Sequence, residues 1–351
     1  MTSTIEITGH SQHEAWLAKT MPPIEEVRPG LWSIPVPMPV SPLRYTLVYA
    51  LVLPDGLALI DTGLDTDESW RALVDGIHVT GHDISEIRYV AITHLHPDHF
   101  GLVPRLLEHT DFTLAMHSND AKFMRFRSDS EIQREQDWAT EQLARLGAPT
   151  DIPETGMQHF TRLPKGRTVD VELDDHAPLN LPGWNVKALW TPGHTPGHLC
   201  FLDEDAGTVF TGDHLLPRIS PNVSTTIFQP TDPLAAYLVS LAHTEQLPDV
   251  EALPSHEYRF RGLADRVTTL LSHHEERFDE IAAAVAADPQ ITAWEIARSV
   301  SWSRPFDDLL LPLRRMATRE THAHLTVLES RGILTHDGGL PQRWSVVAVP
   351  V

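Results

Sequence analysis

The sequence predicts an α/β fold followed by a smaller helical C-terminal domain. Up to about residue 262, short segments rich in β-branched and aromatic residues alternate with helical patterns. From residue 263 onward, three helical segments precede a Gly-containing hairpin pattern, which is the element order of a winged helix. We therefore predict an α/β domain over 1–262, with a helical insertion at 118–147, and a winged-helix domain over 263–351.

The strands follow from apolar runs that end at turn residues. Residues 45–53 are rich in Val, Leu and Tyr, break at Pro54-Asp55-Gly56 and resume at 57–60, which predicts a hairpin. Residues 87–92 read as a buried strand. Further strands are predicted at 168–173, 184–190, 199–202, 208–211 and 250–253, with helices at 67–76 and from Asp232 to about 246.

The C-terminal pattern is helical at 265–287, 292–300 and 316–330, and the hairpin spans 333–349. The insertion at 118–147 carries many charges, with Phe123, Met124, Phe126 and Trp138 at helical spacing. Such a segment is typical of a surface helix pair that packs on the core. The alternative is a helical cover that closes over a site and shapes its substrate pocket.

Composition and charge disfavour several classes of function for this protein. The 27 Lys+Arg against 48 Asp+Glu give a formal net charge of −21, which repels phosphate backbones and disfavours general nucleic-acid binding. The N-terminus lacks the basic start and apolar core of a secretory signal, and no apolar run approaches the roughly 20 residues of a membrane helix. Cys200 is the only cysteine, so an intramolecular disulfide and a Cys-rich zinc module are excluded. These features predict a cytoplasmic protein that makes no membrane contact.

The strongest chemical signal is the Thr-His-Leu-His-Pro-Asp-His stretch at 93–99, directly after the buried strand. In an extended chain, residues i and i+2 point to one side, so His94 and His96 can face one metal ion together. A bend at Pro97 can then aim Asp98 and His99 at a second ion. Imidazole and carboxylate ligands suit zinc, and they leave iron and manganese open.

Two ions need further ligands, and three other strand ends offer them. His194 lies in a Gly/Pro-rich loop between predicted strands, Asp213 follows the strand at 208–211, and His256 follows the strand at 250–253. Ligand-type residues at the ends of separate strands are what a site on one edge of a sheet requires. Together they predict a dinuclear site.

These residues resemble the pattern of the metallo-β-lactamase-fold hydrolases, from about residue 30 to 262. The resemblance implies an αββα sandwich with two metals at the sheet edge. It assigns His94, His96 and His194 to one ion and Asp98, His99 and His256 to the other, with Asp213 as the bridge. Asp61, in Asp61-Thr62-Gly63, matches the aspartate that the family keeps behind its ligands.

The added winged-helix pattern is similar to the lactamase-β-2-like branch, which includes thioesterase-like enzymes and an endoribonuclease. One departure stands at Ser255-His256-Glu257, where the family often has Gly-His-Gly. The loop that carries His256 is therefore expected to differ in shape.

The predicted activity is metal-dependent hydrolysis of a small-molecule acyl substrate, a thioester slightly ahead of an ester or lactone, by a metal-bound hydroxide. Asp98 would orient the hydroxide or shuttle a proton, and Asp61 would fix an imidazole tautomer. Tyr258 and Arg259, which follow His256, are weaker candidates for contact with a substrate carboxylate or phosphate.

Three alternatives belong beside this prediction. An endoribonuclease would use the winged helix on nucleic acid, but the net charge of −21 and the presence of only four lysines count against it. A β-lactamase is disfavoured because the sequence begins without an export signal. A non-catalytic role is disfavoured by the intact ligand set, although a homodimer formed through the C-terminal domain is compatible with catalysis.

Overall fold

The structure is a computed structural model that describes residues 5–39, 41–152, 162–229 and 231–347. The chain divides into two compact units. The first consists of Met1–Phe126, Phe160–Pro221 and Ser240–Val267, and the second of Arg127–His159, Asn222–Val239 and Thr268–Val351. Within the described residues, no helix is both long and apolar enough to cross a membrane.

The first unit contains two β-sheets. One has the order β2-β3-β4-β5-β6-β7-β8 and the other β1-β13-β12-β11-β10-β9. The strands of the first sheet are β2 (Glu25–Arg28), β3 (Leu31–Pro37), β4 (Tyr45–Leu53), β5 (Gly56–Ile60), β6 (Ile87–Ala91), β7 (Thr113–Met116) and β8 (Val171–Glu172). Those of the second are β1 (Glu6–Ile7), β9 (Val186–Trp190), β10 (Leu199–Asp203), β11 (Thr208–Gly212), β12 (Glu251–Pro254) and β13 (Phe260–Arg261).

The core of this unit lies between the two sheets. The odd-numbered residues of β4 face the second sheet, because successive side chains of a strand alternate between its faces. Tyr49 packs edge-on against Phe210 at 5.2 Å, and its hydroxyl donates to the carbonyl oxygen of Pro254 at 2.8 Å. On the other face of the first sheet, a helix packs so closely that a Cβ on its Gly76 would lie 2.2 Å from Ile34. The predicted α/β sandwich is therefore confirmed.

The helices of the described chain are α1 (His10–Ala18), α2 (Asp67–Val79), α3 (Pro97–Phe100), α4 (Val103–Leu107), α5 (Ser118–Met124), α6 (Asp129–Arg145), α7 (Pro233–Thr244), α8 (Leu263–Ala287), α9 (Ala293–Ser299) and α10 (Leu311–Ser330). The predicted insertion at 118–147 consists of α5 and α6. α5 belongs to the first compact unit, whereas α6 belongs to the second with the C-terminal helices. The domain boundary after residue 262 stays a prediction.

Strand direction brings the predicted site residues to one edge. β5, β6 and β7 run parallel, with Ile60 opposite Ala91 and Ala91 opposite Ala115, so the residues that follow these three strands emerge at the same edge. β11 and β12 are also parallel, with Gly212 opposite Pro254. Asp61, the His94 loop, Asp213 and His256 therefore follow strands that end side by side.

In the C-terminal part of the chain, the helices α8, α9 and α10 are followed by a hairpin of β14 (Leu334–His336) and β15 (Trp344–Val346). The hairpin is anchored at Trp344, whose backbone N–H donates to the carbonyl of Ile291 at 2.9 Å. This order agrees with the predicted pattern, and the last predicted hairpin residues, 348 and 349, lie outside the described residues. The assignment of a winged helix stays a prediction.

Candidate metal centre

Three histidines form one group of potential ligands. His94 follows β6, His96 is the residue before α3, and His194 lies between β9 and β10. The distances are 3.0 Å from His94 Nε2 to His96 Nδ1, 3.2 Å from His94 Nε2 to His194 Nε2, and 2.9 Å from His96 Nδ1 to His194 Nε2. Two nitrogens about 2.1 Å from one tetrahedral zinc ion lie about 3.4 Å apart, so this spacing fits a shared ion.

A second group lies beside the first. His256 Nε2 is 3.3 Å from both Asp98 Oδ2 and Asp213 Oδ1. His99 Nε2 is 3.5 Å from the same oxygen of Asp98 and 3.6 Å from the same oxygen of Asp213. The other carboxylate oxygen of Asp213 lies 3.6 Å from His194 Nε2, so Asp213 stands between the two groups.

The buried polar atoms of the second group support its suitability for a metal. His99 Nε2, His256 Nε2 and Asp213 Oδ1 have no hydrogen-bond partner within the described parts of the chain. A buried polar atom without a partner is costly, and a cation at this point would satisfy all three. The residues therefore fit a pair of divalent ions, and the structure brings together all seven predicted ligands. Their individual roles as ligands stay predictions.

The two groups differ in their electrostatics. Burial, reinforced by the charge of His194, lowers the pKa of His96 to about 3, so this imidazole is neutral and can donate its lone pair. Burial also opposes charge on His256, but the carboxylates of Asp213 and Asp98 outweigh it and raise the pKa to about 10. Burial works against the ionised form of Asp98 as well, yet the cationic His99 and His256 hold its pKa well below the usual value. The carboxylates of Asp98 and Asp213 thus favour positive charge at this point, carried either by protons on the two imidazoles or by a divalent ion in their place.

Side chains behind the ligands fix their orientation. Asp61 is fully buried after β5, and its Oδ2 accepts from His99 Nδ1 at 2.8 Å. The Oδ1 of Asp61 accepts from the backbone N–H of Thr93 at 2.8 Å. His256 Nδ1 donates to the carbonyl oxygen of Tyr45 at 2.9 Å. The contact with Asp61 holds the proton of His99 on Nδ1, and the contact with Tyr45 does the same for His256, so that both Nε2 atoms turn toward the centre.

Two more histidines flank the ligands. His198 Nε2 accepts from the backbone N–H of Asp213 at 3.2 Å, and its Nδ1 lies 2.8 Å from Thr191 Oγ1. His214 Nε2 lies 2.8 Å from Thr244 Oγ1. His198 thereby positions the backbone of Asp213, while His214 is engaged by a neighbouring helix.

Sequence reasoning missed Asp120. This residue of α5 is fully buried, and its carboxylate accepts from the backbone N–H of Leu95 at 2.9 Å, from Thr195 Oγ1 at 2.7 Å and from the backbone N–H of Gly197 at 2.7 Å. Leu95 lies between His94 and His96, and Thr195 follows His194. Asp120 therefore ties together the two loops that carry the histidine group. The available signal was its place just after β7, a parallel neighbour of β6, but the helical spacing of 118–147 concealed it.

The two weaker candidates, Tyr258 and Arg259, are both buried and held by other residues. The Arg259 guanidinium is 5% exposed and pairs with Glu251 and Glu25, each at 2.7 Å. Tyr258 is also 5% exposed and packs against His13, with ring centroids 4.6 Å apart. Buried carboxylates thus hold the Arg259 guanidinium, and the predicted contacts of Tyr258 and Arg259 with substrate stay predictions.

Comparison with known proteins agrees with this geometry. A family model described as the metallo-beta-lactamase superfamily matches residues 42–256, which include all seven predicted ligands. The chain belongs to the metallo-β-lactamase superfamily. A crystal structure of a metallo-beta-lactamase family protein from Thermus thermophilus is similar at 30% identity and a TM-score of 0.78, covering 92% of this chain and all of that one. A beta-lactamase domain protein from Burkholderia ambifaria is similar at 27% identity and a TM-score of 0.79, covering 97% of each chain.

Curated relatives of this superfamily member carry enzyme names. A Bacillus subtilis protein named "Probable metallo-hydrolase YqjP" is 27% identical over 320 residues, covering 86% of this chain and 93% of that protein. An Aspergillus fumigatus protein named "Atrochrysone carboxyl ACP thioesterase" is 26% identical over 224 residues, covering 64% of this chain and 40% of that protein. The chain is thus a metal-dependent hydrolase of the metallo-β-lactamase superfamily.

Proposed function

We propose that this hydrolase uses two zinc ions to cleave a thioester of a small acyl group, with esters and lactones as the next substrate class. The observation that carries the proposal is the pair of ligand groups that meet at Asp213. One group offers three imidazoles, and the other offers two imidazoles and a carboxylate. This donor set suits zinc better than magnesium or calcium, which prefer oxygen ligands.

His94, His96 and His194 would hold one ion, and Asp98, His99 and His256 the other. Divalent ions bound there lower the pKa of water and polarise a carbonyl oxygen. The Asp98 side chain is 15% exposed, which makes it the more accessible of the two ligand carboxylates, since Asp213 is 11% exposed. It can accept a hydrogen bond from the attacking water and so orient that water toward the substrate.

Other residues of the chain hold the ligand imidazoles in a fixed orientation. Asp61 keeps the His99 ring in one tautomer, and Tyr45 does the same for His256. These groups are buried and hydrogen-bonded to the backbone, so they lose little freedom when the reaction begins. A fixed set of ligands would hold the two ions, and the charge that they offer to a reacting carbonyl, in one place.

Leaving-group chemistry and the comparisons support a thioester. A thiol has a pKa near 8.5, so its thiolate leaves with little protonation, whereas an alkoxide needs a proton donor. One relative is named as a thioesterase, although this chain spans only 40% of that protein. Its name says what that protein acts on, and the thioester class is our proposal for this one.

The test combines metal analysis with turnover. We expect about two zinc ions per chain and hydrolysis of acyl-thioesters in a panel that also contains aryl esters, lactones, a chromogenic β-lactam and single-stranded RNA. His96→Ala should lose activity. His176→Ala, which removes an imidazole that is 70% exposed, is the matched control and should retain it. Absence of metal after loading would contradict the proposal, as would activity that His96→Ala leaves intact.

A further inference from the structure

We infer that Arg218 is a specificity-determining residue that binds an anionic group, a carboxylate or a phosphate, on the substrate. The inference deepens the proposed function, because it concerns the substrate of the same site. Arg218 lies on the loop after β11, five residues beyond Asp213. Its side chain is 56% exposed.

A buried carboxylate next to a predicted ligand holds this arginine in place. Glu257, which directly follows His256, is fully buried. Its Oε1 accepts from Arg218 Nε at 3.1 Å, and its Oε2 accepts from the backbone N–H of Arg218 at 3.1 Å. Because Arg218 Nε donates to the buried Glu257, the two terminal amino groups of Arg218 are the donors that we expect a ligand to reach.

A second buried charge fixes the loop on both sides of Arg218. Arg266 is 4% exposed, and its guanidinium donates to the carbonyl oxygens of Leu216 at 2.6 Å and Ile219 at 2.7 Å. The backbone that carries Arg218 is thereby pinned before and after it. A guanidinium that is already ordered gives up less entropy when it binds an anion, and its planar fork matches a carboxylate or phosphate in bidentate geometry.

The conformation of Glu257 indicates that its carboxylate is needed there. Its φ is +70°, in the left-handed region that favours glycine. A non-glycine residue in a sparsely populated region is strained, and such residues cluster at functional sites. Glycine at position 257 would relieve this strain, but it would lack the carboxylate. That carboxylate is the group that positions Arg218.

The surroundings of Arg218 add positive charge. Its guanidinium carbon lies 5.3 Å from the ring centre of Trp16, and that of Arg44 lies 4.1 Å from the same ring. Arg44 Nη1 is buried and has no hydrogen-bond partner among the described residues. In a chain of net charge −21, two guanidinium groups on one indole form a local attractor for an anion.

The test uses thioester pairs that differ only in one anion. One pair is a glutaryl thioester of N-acetylcysteamine and its neutral methyl ester, which places the charge on the acyl side. The other is butyryl-4′-phosphopantetheine and butyryl-pantetheine, which places it on the thiol side. We expect wild-type kcat/KM to favour the anionic member of one pair by about 10- to 100-fold. The favoured pair identifies the source of the anion.

The variants decide whether Arg218 is responsible. Arg218→Gln should abolish the preference by raising KM for the anionic member, with kcat and the neutral rates unchanged. Glu257→Gln should reduce the preference in part, because it removes the charge that orients the fork. Arg261→Gln is the control, since Arg261 lies in the same unit but contacts Asp249. A wild type without preference, or an Arg218→Gln variant that keeps it, would overturn the inference and leave the proposed hydrolysis standing.

A binding measurement separates this inference from the failure of the proposed function. If no thioester is cleaved, the proposed function fails, and calorimetric titration of the metal-loaded protein with 4′-phosphopantetheine and with glutarate still tests the anion site. Binding to the metal ions themselves is common to wild type and variant. At least tenfold weaker binding of one of the two compounds by Arg218→Gln supports the anion site. Equal affinities, or no binding by wild type, refute it.

Discussion

The role of Asp120 leads to the most direct prediction about how the metal centre is built. Its carboxylate accepts two backbone N–H groups and one hydroxyl from the loops that carry His94, His96 and His194. The substitution Asp120→Ala removes all three acceptor contacts at once. The two loops would then lose the group that sets their spacing.

The magnitude follows from the groups left behind. A buried N–H without a partner costs about 1–3 kcal/mol, so the N–H groups of Leu95 and Gly197 together cost about 2–6 kcal/mol. The Thr195 hydroxyl can rotate to another acceptor and adds less. Loss of a group that orients ligand loops typically lowers metal affinity by about 10- to 100-fold. We therefore expect Asp120→Ala to lose both stability and zinc affinity.

The assay is urea unfolding combined with chelator competition for zinc. Asp120→Asn should be intermediate, because one amide oxygen can still serve Leu95 and Thr195, while the amide nitrogen faces the Gly197 N–H. Asp170→Ala is the matched control: Asp170 also accepts a backbone N–H, from Leu114 at 2.8 Å, and its other partner among the described residues is Arg167, which lies outside the ligand loops. It should lose stability only. If Asp120→Ala bound zinc as wild type does, the assigned role of the carboxylate would be refuted.

Three further predictions concern Gly212, Glu320 and the effect of removing the metal. Gly212→Ala should lower the urea midpoint and the zinc content, because φ is +50° and a Cβ would lie 2.7 Å from His198 Nε2; an unchanged midpoint would contradict the close approach. Glu320→Gln should stabilise the protein by up to about 3 kcal/mol at pH 8 and by almost nothing at pH 4. Burial raises the pKa of Glu320 to about 7, above its ordinary 4.5, so the native state holds the extra proton and wild type loses stability as pH rises through that window; a pH-independent difference in urea unfolding would exclude this. Chelation of the metal should lower the thermal midpoint of wild type more than that of His96→Ala, because a ligand that binds the native state stabilises it by mass action; equal shifts in a thermal melt would count against His96 as a ligand.

Much of the metal centre could be predicted because its signals are local. His94, His96, Asp98 and His99 lie within six residues of one another, directly after a buried apolar run. The period-2 alternation of a strand and the bend at Pro97 can both be recognised from a short stretch of sequence. His194, Asp213 and His256 could be proposed as further ligands because each follows a predicted strand, and for Asp213 and His256 the two strands are parallel neighbours that end at one edge.

The supporting contacts could not be predicted because they join residues far apart in the chain. The hydrogen bond from His256 to the carbonyl of Tyr45 spans 211 positions, and that from Gly197 to Asp120 spans 77. Arg259 is a second example of a residue whose partners are distant in the sequence. Its position beside His256 suggested a substrate contact, but β12 and β2 supply Glu251 and Glu25, which neutralise it in the interior.

Backbone strain shows how the fold and the site depend on each other. Asp61 and Glu257 both have positive φ, at +62° and +70°, and both lie within the loops that form the metal centre. Glycine at either position would relieve roughly 1 kcal/mol or more of strain. It would also delete a buried carboxylate, the one that orients His99 or the one that holds Arg218. Each carboxylate acts on a residue of the site and not on the core. The strain therefore persists because the side chain is needed at that point. The ions proposed for the centre would compensate the negative charge of the buried carboxylates around it.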